Sequence, residues 1–162
     1  MKVVHTSDWH LGQSLMKFSR EAEHRAFIDF LVETVRREDV DTLILAGDVF
    51  DTATPGSQAR ELYVNAMCRL KDAGIVNLVV VAGNHDSVAV LEENREVLQR
   101  IGVRVVASAP QSVEDLVLDL LDREGRVAGL FCAVPFLRQR DLLTSVAGQD
   151  AGARQEAMRE AI

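Results

Sequence analysis

Three short stretches carry the residues that can do chemistry: Asp8-Trp9-His10-Leu11-Gly12, Gly47-Asp48-Val49-Phe50-Asp51 and Gly83-Asn84-His85-Asp86. Each offers carboxylate, amide or imidazole donors, a hard-plus-borderline set that suits Mn, Fe or Zn. Asp-x-His alone is weak, because a capping Asp and a surface His meet by chance. Recurrence strengthens it. Each stretch follows an apolar run: Lys2–Thr6, Thr42–Ala46 and Leu78–Ala82. Such runs read as buried strands. Loops of this kind gather along the carboxyl edge of an open α/β sheet, where ligands bind.

The elements between the loops must position them. A helix is expected from an N-cap at Ser19, with Glu21 and Glu23 in its first turn. Its apolar face reads as Ala22, Ala26, Phe27, Phe30, Leu31, Thr34 and Val35. Residues 13–18 read as irregular. The turn Thr54–Ser57 leads to a second helix with Ala59, Leu62, Ala66, Met67 and Leu70 inward, stopped by Gly74. A third helix is expected over Val88–Arg100, with Leu91, Val97, Leu98 and Ile101 inward. The order β-α-β-α-β-α implies a parallel sheet with right-handed crossovers. Val103–Val106 then reads as a short strand. Leu116–Leu120 and Val127–Ala133 flank a hairpin-like turn, Asp122–Gly125, as further strands of a mixed sheet. Ala153–Ile162 has helical composition. No internal repeat is visible.

Composition narrows the function. The chain has 162 residues, 48% of them hydrophobic, enough for one core. No apolar run approaches a membrane span and no signal-peptide pattern is present. The two cysteines, Cys68 and Cys132, are read as buried, reduced thiols of a cytoplasmic protein. A formal charge of −7 argues against a generic DNA-coating protein. It does not exclude a nuclease, because bound cations reverse the field of an acidic pocket.

A two-metal phosphodiesterase needs a carboxylate that bridges two ions about 3.5–4 Å apart. Asp8 and His10 can serve the first ion, Asp48 can bridge, and Asn84 can give a neutral amide oxygen to the second. His85, beside Asn84, can reach the phosphate without being a ligand. Asp86 can orient it, and Asp51 is read as a hydrogen-bonding support.

Assembled, the motifs resemble the calcineurin-like metallophosphoesterases. His5–Gln13, Arg20–His24, Ala46–Thr52, Ala82–Ser87, Val105–Ser108 and Pro135–Arg138 are similar to the SbcD family, nuclease subunits of bacterial SbcC–SbcD complexes. The resemblance implies an α/β metallophosphoesterase fold, the N-terminal part of a two-sheet αββα sandwich with mixed, mostly parallel sheets flanked by helices. It also implies two Mn²⁺ ions (Mg²⁺ being possible), 3′-to-5′ exonuclease action on duplex DNA, endonuclease action on single strands and hairpins, an SbcC-like ABC ATPase partner and an SbcD homodimer. The family has two further motifs with three more histidine ligands. Here only His5, His10, His24 and His85 are present. Residues 1–162 are therefore expected to be an N-terminal portion of the nuclease domain, without the capping and SbcC-binding regions.

Ordinary readings compete at several positions. His5 is expected to be a satisfied core histidine, His24 a packing or surface residue, and Trp9 a brace for its loop. Lys17, Arg20, Arg25, Arg138 and Arg140 are either phosphate contacts or solvated charge. Glu92, Glu93 and Glu96 form a solvated helix face. Two other functions stay open: a phosphoesterase acting on nucleotides or phosphoproteins, and a non-catalytic dimerising module.

Overall fold

A computed structural model describes residues 1–110 and 112–138. Its elements are β1 (Val3–Ser7), β2 (Ser14–Leu15), β3 (Phe18–Ser19), α1 (Glu21–Glu38), β4 (Thr42–Ala46), α2 (Ser57–Asp72), β5 (Asn77–Val81), α3 (Val88–Glu92), α4 (Arg95–Arg100), β6 (Val103–Val106), β7 (Val117–Leu121) and β8 (Val127–Cys132). The helix expected over Ala153–Ile162, and Arg140, lie outside the described residues.

β1, β4, β5 and β6 form one parallel sheet in the order β1-β4-β5-β6. The apolar residues of β5 alternate between two cores. Leu78 and Val80 face the helices, while Val79 and Val81 meet Leu120 and Ala133 of the second layer. That layer is an antiparallel pair of β7 and β8, separate from the first sheet. The expected meander is therefore a second layer and not an extension of a mixed sheet. Buried Asn77 fastens the layers. Its Nδ2 donates to the Thr42 hydroxyl (2.9 Å) and to the Leu121 carbonyl (2.8 Å), and its Oδ1 accepts the Leu121 N–H (2.9 Å). Among the described residues the architecture is α/β: helices, a parallel sheet, then a small antiparallel sheet.

Four local expectations are corrected. Residues 14–19 are a tight β2–β3 hairpin, because Met16 and Lys17 both adopt positive φ (48° and 71°), the turn that matches strand twist. Helix α1 is capped at Arg20; the Ser19 hydroxyl only accepts the Glu21 N–H at 3.2 Å. Its buried stripe is His24, Ile28, Leu31, Val32 and Val35, whereas Phe27 and Phe30 are 36% and 57% exposed. The helix carries apolar residues on two adjoining stripes, and only docking on the sheet chooses between them. The third helix breaks at Glu93–Asn94 into α3 and α4, which leaves Val97 62% exposed while Leu91 and Leu98 stay buried.

Helix α2 buries the expected residues, and Gly74 ends it at φ 102°. His5 is exposed, because β1 lies at the edge of the sheet. Cys68 is half-buried and Cys132 exposed, both as free thiols, so neither is the buried thiol expected.

Candidate metal centre

The three loops leave the carboxyl ends of adjacent strands β1, β4 and β5, so they stand side by side. Backbone bonds join them before any side chain takes part. His10 and Leu11 donate N–H groups to the Asp48 and Val49 carbonyls (3.0 and 2.9 Å), and Asp51 N–H returns to the Leu11 carbonyl (3.2 Å). Gly47 N–H reaches the Val81 carbonyl at 2.8 Å. Asp8, His10 and Asp48 take positive φ values of 53°, 46° and 22°. Non-glycine residues in this region are strained, and such strain persists where surrounding contacts over-determine it.

Gly83 permits the closest approach. A Cβ there would stand 2.1 Å from Asp48 Oδ1 and 2.2 Å from the Asp48 nitrogen. Across that gap the His85 N–H donates to Asp48 Oδ1 at 2.9 Å. The other oxygen, Oδ2, lies 3.8 Å from His10 Nε2. The His10 and His85 rings meet edge to face, their centres 5.2 Å apart.

His10, Asp48 and His85 thus bring one ligand atom each within 4.8 Å of one another. Nitrogen and oxygen donors at this spacing fit a divalent transition-metal ion. His10 Nδ1 is buried without a hydrogen bond of its own, and Asp51 Oδ1 is 3.3 Å from it. A proton on Nδ1 would leave the Nε2 lone pair free for a metal ion, the tautomer a metal site requires. Asp8 is exposed outside the 4.8 Å cluster, with Oδ1 turned over Gly47. Asn84 is exposed at the head of the third loop, between buried Gly83 and exposed His85.

From sequence, Asp86 was expected to orient His85. In the structure His85 Nδ1 lies 2.8 Å from the carbonyl oxygen of Asp51. Asp86 is buried and accepts three backbone N–H groups, from Gly83 (2.9 Å), Val49 (3.1 Å) and Phe50 (3.0 Å). It is the knot between the second and third loops. The hydrogen bond to the Asp51 carbonyl, followed by the Asp48 carboxylate, raises the His85 pKa above its ordinary value.

Supporting residues complete the frame. Trp9 is buried, donates to the Thr6 hydroxyl at 2.9 Å and meets Phe27 edge to face. Arg138 donates to the Asp86 carbonyl at 2.6 Å, and Phe136 N–H to the Ala82 carbonyl at 2.9 Å, so the Pro135–Arg138 segment braces the third loop. His24 is a packing residue whose pKa is lowered, first by burial and then by the Arg20 charge. Arg25 is paired with Glu21 at 2.7 Å. Glu93 and Glu96 are exposed, as expected of a solvated face, and Glu92 and Glu93 pair there with Arg95 and Arg60. Gln13, whose amide donates to Asp51, was not among the residues singled out from sequence; its place just past an Asp-x-His pair was the one visible sign.

The calcineurin-like phosphoesterase family matches residues 1–140. The chain belongs to this family. It is 47% identical over 162 residues to the D subunit of the nuclease SbcCD from Escherichia coli, covering all of this chain and 39% of that protein. The protein of the same name from Rhodobacter capsulatus is 42% identical over 154 residues, covering 88% of this chain and 36% of the relative. The one from Bacillus subtilis is 41% identical over 87 residues, covering 54% of this chain and 22% of the relative. The chain spans about two fifths of the length of the E. coli relative. Membership of this phosphoesterase family implies divalent metals, and the His10–Asp48–His85 cluster is where the described residues can receive one. Among the described residues no helix is long and apolar enough to cross a membrane.

Proposed function

We propose that this chain is part of an SbcD-type nuclease subunit that hydrolyses phosphodiester bonds of DNA with two Mn²⁺ ions. Mg²⁺ is the second candidate metal. The observation that carries the reading is the convergence of His10, Asp48 and His85 at the ends of three parallel strands, in a chain 47% identical to a nuclease subunit. Asp8, His10, Asp48 and Asn84 are the residues that would hold the metal, with Asp48 assigned as the carboxylate shared between ions. Bound metal offsets the charge that develops on the phosphoryl group. The chain's own residues set the rest. The Asp51 carbonyl holds His85 Nδ1, which turns Nε2 outward to the phosphate. In the metal-free chain the Asp51 carbonyl and the Asp48 carboxylate favour the protonated ring. A water molecule forms the new bond to phosphorus as the P–O bond to the 3′ oxygen breaks, and the proton on Nε2 passes to that leaving oxygen.

In the full-length protein the activity assigned is cleavage of DNA ends and hairpins: ATP-dependent 3′-to-5′ exonuclease action on duplexes and endonuclease action on single strands. An SbcC-like ABC ATPase is its partner, with a second SbcD-type copy, in cytoplasmic DNA repair, recombination and replication. The test is cleavage of a hairpin DNA by the full-length protein in Mn²⁺, beside a nucleoside monophosphate control. Hairpin cleavage supports the reading. Turnover of the monophosphate alone would place the chain among phosphoesterases of small substrates, and turnover of neither would favour a non-catalytic module.

A further inference from the structure

The first loop does not end at its ligands. Gln13 donates its N–H to the His10 carbonyl at 3.0 Å, and the β2–β3 hairpin then returns the chain to Arg20. Arg20 closes the base of that hairpin by donating its own N–H to the Gln13 carbonyl at 3.2 Å. The side chains meet as well. Arg20 Nη1 donates to Gln13 Oε1 at 2.7 Å, and Gln13 Nε2 donates to Asp51 Oδ1 at 3.3 Å. That same oxygen lies 3.3 Å from His10 Nδ1.

The order of donors and acceptors from Arg20 to Asp51 follows from the groups themselves. A guanidinium has only donors, so it must face the amide oxygen of Gln13. The amide nitrogen is then left to face Asp51. The Asp51 carboxylate has only acceptors to offer, so the His10 Nδ1 that it faces at 3.3 Å is the ring nitrogen beside which a proton is favoured. His10 Nε2 is left with its lone pair toward Asp48. Arg20 thus selects the amide orientation of Gln13, and Gln13 holds the carboxylate that faces His10 Nδ1.

We propose that Gln13 and Arg20 are positioning residues of the metal centre, acting on His10 through Asp51. The proposal rests on the metal-dependent phosphoesterase reading of this site. It assigns the half-buried Arg20 a role other than phosphate contact, because its Nη1 is bonded to Gln13. Removing the outer partners of a ligating histidine typically lowers metal affinity by about 10–100-fold.

The experiment is calorimetric titration of Mn²⁺ into the full-length protein without DNA, with thermal melts confirming that each variant is folded. Gln13→Ala and Arg20→Met are each expected to weaken Mn²⁺ binding by about tenfold. Gln13→Glu keeps an acceptor for Arg20 but removes the donor to Asp51, and is expected to lose as much as Gln13→Ala. In an Asp51→Asn background Gln13→Ala is expected to add no further loss, because the two act along one line; non-additivity of this kind marks shared partners. Folded single variants that bind Mn²⁺ like wild type, or losses that add independently of Asp51, overturn the pair. So does an Arg20→Met protein with wild-type Mn²⁺ affinity and weakened DNA binding, since Arg20 would then be a phosphate contact. A wild-type protein that takes up no Mn²⁺ overturns the metal-site reading itself, and the pair with it.

Discussion

The Asp86 carboxylate crosses from the third loop to the second and accepts the Phe50 N–H at 3.0 Å. With the Val49 and Gly83 bonds, one buried side chain satisfies three backbone donors that no strand partner reaches. The edge of the sheet is therefore held by a residue whose sequence position, beside His85, suggested chemistry instead.

Asp86→Ala leaves those three N–H groups buried and unpaired. Each unmet donor costs about 1–3 kcal/mol, so a loss of about 3 kcal/mol or more is expected. Asp86→Asn retains one acceptor oxygen and should lose less. Urea unfolding of both variants checks the ranking; equal stability of Asp86→Ala and wild type would remove Asp86 from this role.

Gly83→Ala tests the contact between the loops. The added methyl collides with the backbone nitrogen of Asp48, which cannot swing aside as a flexible side chain would. Overpacking of this kind costs about 1–3 kcal/mol, and it displaces Asp48. The variant is expected to be folded but less stable and to bind Mn²⁺ more weakly than wild type. Thermal melts and metal titration read the two effects separately.

His85→Gln in the full-length protein separates binding from chemistry. With Asp8, His10, Asp48 and Asn84 as ligands, Mn²⁺ stoichiometry and DNA binding should match wild type. Hairpin cleavage should fall by about 10²–10⁴-fold, the usual range for a general acid or base. Loss of one Mn²⁺ per chain would instead make His85 a ligand, for which its place in the His10–Asp48–His85 cluster leaves room.

His24 gives a pH dependence of stability. Its folded-state pKa lies below 6.5, through burial first and the Arg20 charge second. Below pH 6.5 the unfolded chain therefore binds a proton that the folded chain refuses. Stability is full above that pH and falls as the pH drops from about 6.5 toward the lowered value. In His24→Gln this part of the slope should vanish. Melting temperatures of both proteins between about pH 5 and 8 compare the slopes, and parallel curves would exclude His24 as their source.

Tyr63 on α2 stacks edge to face on Phe50, but its buried hydroxyl has no hydrogen-bond partner among the described residues. Burial raises its pKa well above the usual tyrosine range. Tyr63→Phe keeps the ring and removes the unpaired group. A gain of about 1 kcal/mol is expected in denaturant unfolding, and a loss would reveal a partner for the hydroxyl.

The sequence by itself determined the parallel strands and the loop of candidate ligands at the end of each. Apolar runs ending in Asp8-x-His10, Gly47-Asp48 and Gly83-Asn84-His85 are local patterns, and a βαβ order leaves little freedom in how such strands align. The buried face of α2 was legible for the same reason, since its apolar residues make one stripe. Helix α1 has two stripes, and its packing on the sheet decided which was buried. The β2–β3 hairpin was hidden because Met16-Lys17 carries no glycine or asparagine to announce positive φ. The tasks within the site also needed the tertiary structure. Asp51 and Asp86 each stand close in sequence to a candidate ligand, and composition cannot tell a carboxylate that faces a histidine from one that holds backbone. The partners of Asp86 at Phe50 and Val49 lie 36 and 37 residues away in the chain, and the Asp51 carbonyl meets a ring 34 residues away. Only the closing of three loops over one sheet edge decides which oxygen meets which proton.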